Sequence, residues 1–105
     1  MLIQIDVNGK TVKAIFDTGC AADGIVYHPS EFKNLGLQVK NPFPQEGVSQ
    51  GPDRIIAEKI VIGPITKMQV RAYPAAGLSY PLIGPKMFDR PYTVDQKDQL
   101  IRFDY

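Results

Sequence analysis

The chain has 105 residues, 44% apolar and 22% charged, with a formal net charge of +1. This is the composition of one small globular domain. Its interspersed charges argue against a nucleic-acid footprint or a membrane-surface patch, and no apolar run reaches the length of a membrane span. Cys20 is the only cysteine, which excludes an internal disulfide framework and a multi-cysteine zinc site and points to a reducing, cytoplasmic compartment. The opening "MLIQIDVNGK" has neither the basic region nor the long apolar core of a signal peptide.

Taken in chain order, "LIQIDVNGKTVKAIF" reads as a β-hairpin. Ile3, Ile5 and Val7 alternate with Leu2, Gln4 and Asp6, so the Ile/Val set is the buried one. Asn8-Gly9 supplies a tight turn in which both residues accept positive φ. The returning arm is Thr11 to Phe16, and Gly24 to Tyr27 is a further short strand. In "HPSEFKNLGL", Ser30 is placed to cap one helical turn and Gly36 to end it. "KNPFPQEG" is a proline-punctuated loop.

A second hairpin is expected over Glu46 to Ile62, with its tip at Ser49 to Arg54. Gly63-Pro64 turns the chain into a strand at Met68 to Tyr73. Leu82-Ile83 forms an apolar pair before Gly84, and Tyr92 to Phe103 reads as a closing hairpin turning at Gln96-Lys97-Asp98. Strands are short and numerous and no long helical periodicity occurs, so the class is all-β in one domain over residues 1–105, with one or two short helical turns.

The chemistry-bearing stretch is "AIFDTG", Ala14 to Gly19. An apolar strand ends in a carboxylate, a hydroxyl and a glycine. As a plain strand end this is ordinary turn chemistry; as a working site it delivers Asp17 to an exposed loop. In the context of the first hairpin, the 47–55 hairpin and the later Leu82-Ile83-Gly84, the stretch resembles the retropepsin-like aspartic proteases, with a C-terminal segment longer than the retroviral tail and closer to the cellular and bacterial members. The resemblance implies a closed β-barrel and a catalytic Asp17, a structural Thr18 that locks two such loops together, and a Gly19 that contacts substrate backbone.

It implies more about the site. Cys20 stands where the family carries alanine or serine. Asp23 would meet the peptide backbone, and Ile25, Val48, Ile55, Leu82 and Gly84 would shape the substrate cleft. The 47–55 hairpin would be a flap closing over an extended peptide. No cofactor and no metal are needed. The chemistry uses two aspartates that share a proton, so that one serves as base and the other as acid. The chain holds one Asp-Thr-Gly, so the resemblance implies a homodimer with Asp17 from each copy at the two-fold axis. Coupled acids titrate as a pair, and an acidic pH optimum is expected. The chain begins directly with the hairpin, so the C-terminal segment is expected to supply the dimer interface.

Three rival readings stand beside this one, the plainest being an unrelated β-barrel in which Asp-Thr-Gly occurs by chance; the other two use the same residues. One is a dimeric binding or assembly module of the same fold with catalysis weak or lost. The other is a thiol hydrolase pairing Cys20 with His28, the only histidine. Tyr73, Tyr80 and Tyr92 lie near prolines and are read as packing residues.

Overall fold

Asn8 and Gly9 both have positive φ, at +54° and +87°, and they reverse the chain between β1 (Leu2–Val7) and β2 (Lys10–Phe16). The computed structural model describes residues 1–40, 54–95, 97, 98 and 100–103. The register runs from Leu2 opposite Ile15 to Val7 opposite Lys10. Ile5, Val7, Ala14 and Phe16 are buried while Gln4, Thr11 and Lys13 are exposed, so the period-2 pattern predicts the buried face correctly.

After β3 (Ile25–Tyr27) the chain makes a 3-10 turn over Pro29–Glu31. Its cap is the His28 ring, whose Nδ1 accepts from the Ser30 amide at 3.1 Å. Ser30 therefore sits inside the turn, contrary to the cap assigned to it from sequence; Pro29, with its fixed φ and no amide hydrogen to satisfy, takes the first position and moves the start two residues earlier. Gly36, at φ +65°, does end the turn. Its amide donates to the Lys33 carbonyl and that of Leu37 to Phe32, the paired bonds of a left-handed C-terminal cap.

β4 (Gln38–Lys40) pairs antiparallel with the start of β5 (Arg54–Ile62), Val39 lying opposite Ile55. The sequence reading had no strand here and began the second hairpin at Glu46; residues 41–53, including the expected flap tip and Val48, lie outside the described residues. β5 then returns through Gly63-Pro64 as β6 (Ile65–Pro74). Within β6, Gln69 has φ +51°, and the pair it would make with Glu58 drops out of an otherwise regular register.

β7 (Leu82–Ile83) precedes a second 3-10 turn, Pro85–Met87. β8 (Tyr92–Asp95) and β9 (Leu100–Phe103) form the closing hairpin as a separate two-stranded sheet. The other strands run in the order β1-β2-β7-β3-β6-β5, and β5 returns to β1 through Val61 and Ile60, so six strands close into a barrel with β4 appended. Among the described residues the fold is all-β apart from two 3-10 turns.

The barrel is filled by residues from every wall: Ile5, Val7, Ile25, Ile60 and Ile83 are 2% exposed or less. Each such aliphatic contributes on the order of 1.5–3 kcal/mol by leaving water. The closing hairpin is fastened by aromatics. Phe88 stacks on Phe16 at 5.1 Å between ring centroids and meets Tyr92 and Phe103 edge-on at 5.0 and 4.9 Å.

Candidate active site

The short strand β7 lies between β2, to which it is parallel, and β3, to which it is antiparallel. The chain leaving β2 at Asp17 must therefore pass over the end of β7 to enter β3. The Asp17 amide donates to the Ile83 carbonyl at 3.0 Å, which ties the loop to the last residue of β7. The next residue, Gly84, is buried, and a Cβ there would collide with the Cys20 carbonyl and Cβ. Glycine is required at this position for close approach, since its φ of −124° is open to any residue.

The loop presents Asp17, Thr18 and Gly19 to solvent, with Cys20 half-buried behind them. Asp17 Oδ1 accepts the Gly19 amide at 2.8 Å, and the Cys20 amide donates to the Asp17 carbonyl at 3.0 Å. The side chain thus closes an Asx turn on its own loop. Its second oxygen and the Thr18 hydroxyl have no partner among the described residues.

Asp23 stands at the far end of the loop, exposed. Its Oδ1 accepts the Tyr73 hydroxyl at 2.6 Å. That bond chiefly, with the nearby charges of Arg71 and Lys86, holds the Asp23 carboxyl below the usual carboxylate range. The same bond pushes the Tyr73 phenol up. Tyr73 is thus more than a packing residue. Asp23 and Tyr73 are fifty positions apart, and only the parallel pairing of β3 with β6, which sets Val26 opposite Tyr73, brings them together. Gly24 secures the crossing, because a Cβ there would strike the Arg71 carbonyl.

Of the cleft residues expected from sequence, Leu82 is half-buried beside Ile15 at the end of β2, next to the loop. Ile55 is half-buried in β5. Ile25 corrects the expectation: it has no exposed surface and belongs to the core. Its place at the start of β3 points it inward, so it offers nothing to a ligand. His28 bonds Ser30 through Nδ1, and no hydrogen bond joins it to Cys20 among the described residues. No group of three or more His, Cys, Asp or Glu side chains suited to a metal ion occurs among the described residues.

No protein-family model matches the chain, and no curated protein does. Solved structures do. A retropepsin-like aspartic protease from Rickettsia conorii superposes with a TM-score of 0.63 at 22% identity, over 96% of this chain and 80% of that one. The retroviral protease-like domain of Ddi1 from Leishmania major superposes with a TM-score of 0.57 at 15% identity, over 98% and 86%. At these identities the similarity establishes the architecture, and the barrel described above has the retropepsin-like fold.

Proposed function

We propose that the chain is an aspartic endopeptidase domain acting as a homodimer, with the Asp17 carboxylates of two copies forming the catalytic dyad. The observation that carries this reading is the Asp17 loop itself: an exposed carboxylate held by its own loop amide and braced on Gly84, within a retropepsin-like fold.

In this reading two facing carboxylates share one proton. The ionised partner removes a proton from a water, the water oxygen attacks the scissile carbonyl carbon, and the protonated partner donates to the carbonyl oxygen. Collapse of the tetrahedral species, with proton return to the amine, breaks the C–N bond. The Thr18 hydroxyl, which has no partner among the described residues, bonds across the two-fold axis in this reading and keeps the carboxylates in register. The closing hairpin, with Leu100 51% exposed on β9, is the surface assigned to the meeting of the copies.

The test is cleavage of an unstructured protein at mildly acidic pH by the wild-type chain and by Asp17→Asn. Loss of at least a hundredfold in rate with the fold intact is expected; undiminished cleavage by the variant removes Asp17 from the chemistry. A chain that dimerises through the closing hairpin but cleaves nothing under these conditions would favour the assembly-module reading.

A further inference from the structure

A concavity lies away from the Asp17 loop. It is a groove of about 490 Å3 between β2, the His28–Leu35 segment and the 78–81 loop, within the size range of small-ligand sites. None of Asp17, Thr18, Gly19, Cys20 and Gly84 lines it. Its apolar part is Val12, Leu35 and Leu78, and Tyr80, 40% exposed, also lines it.

Its polar groups are paired in sign. Lys13 contributes an ammonium with no ion-pair partner among the described residues. Glu31 contributes a carboxylate, of which Oε2 accepts from Asn34 Nδ2 at 3.1 Å and Oε1 has no partner among the described residues. The Ser30 amide donates to His28 Nδ1 at 3.1 Å, which fixes the ring and leaves Nε2 as the nitrogen free to donate to a ligand. Lys13 is matched by Glu31, and the remaining polar groups are the imidazole of His28 and the hydroxyls of Ser30, Ser79 and Tyr80, so the groove has no excess of positive charge to suit phosphate, nucleotide or anionic lipid. These groups suit a small zwitterion with an apolar body.

We propose that this groove binds a short peptide with free ends and a large apolar side chain, its carboxylate facing Lys13, its ammonium facing Glu31 and a backbone carbonyl on His28 Nε2. The site is independent of the proteolytic reading and stands or falls separately from it.

The test titrates the 15N-labelled chain with the dipeptide Leu-Phe, with its N-acetylated form and with its C-terminal amide, following backbone amide shifts. Saturable shifts at residues 28–35 and 78–80 are expected, and blocking either end should weaken binding about two- to fivefold, as for an exposed ion pair. Lys13→Met should abolish the penalty of amidation, and Glu31→Gln that of acetylation. The blocked ligands make the test independent of whether a variant folds. Absence of saturation, equal affinity for all three ligands, shifts confined to residues 17–20, or equal shifts with inorganic phosphate would each overturn the proposal.

Discussion

Gly84 lies so close beneath the carbonyl of Cys20 that no side chain fits between them. The contact couples the end of β7, a strand inside the barrel wall, to the loop that carries Asp17. Gly84→Ala must therefore push the loop away or distort β7. The expected cost is about 2 kcal/mol or more, in the manner of an overpacked core, read as a lower urea midpoint. Where the variant still folds, the loop is displaced, and cleavage should fall further than stability accounts for. An alanine variant with wild-type stability and activity would show that the contact bears no strain.

The dimeric mechanism predicts interference. Asp17→Asn chains should fold, since the side chain is exposed, and should pair with wild-type chains to give dimers with one carboxylate. Adding an excess of the variant to a fixed amount of wild type should lower cleavage toward zero. Specific activity of the wild type alone should fall on dilution. A rate indifferent to both manipulations would indicate a single-chain site.

The Tyr73–Asp23 bond makes a pH prediction whose sign follows from the two shifts. The Asp23 carboxyl is held down in the folded chain. Its contribution is therefore present above the ordinary carboxylate range and lost as pH falls through the lowered value. The Tyr73 phenol is pushed up, so its contribution is complete below the ordinary phenol range and lost as pH rises through the raised value. Both describe one hydrogen bond, counted once. Tyr73→Phe should melt lower than wild type across the neutral range, and the two melting curves should converge in acid. The gap will be small, because water screens an exposed pair. A gap that persists unchanged in strong acid would assign the effect to packing.

Asn8 does two tasks, and they are separable. Its φ of +54° suits the turn, and its side chain joins three segments. Nδ2 donates to the Leu35 and Gly36 carbonyls at 2.8 and 2.9 Å, and Oδ1 accepts the Lys59 amide at 3.0 Å. Asn8→Gly keeps the backbone and loses the bridges, for about 1–2 kcal/mol. Asn8→Ala adds a left-handed penalty of about 1 kcal/mol or more. Chemical denaturation should rank wild type above glycine above alanine; alanine matching glycine would mean that the turn adapts.

Local chemistry was legible in the sequence where it decides the outcome alone. Asn8-Gly9 specifies a turn whatever surrounds it, the alternation in β1 names its buried face, and the apolar run before Asp17 reads as a strand ending in a loop. What escaped depends on partners far along the chain. Gln38–Lys40 are all exposed, and the alternation of Leu37 and Val39 with Gln38 and Lys40 is too short to mark a face, so only the presence of β5 makes them a strand. Ile25 looks like any apolar residue near the motif, and its burial follows from β3 lying between β7 and β6. Tyr73 is a strand aromatic until the parallel pairing sets it beside Asp23.

The left-handed residue inside β6 bears on how the molecule behaves in a crowd. From Ile65 to Arg71 one border of that strand is taken by β5, while the other meets no strand among the described residues. A flat border of this kind invites foreign chains to add on and seeds fibrils. The dent at Gln69, beside the charge of Lys67, spoils the template, so stacking along this side is discouraged at high concentration.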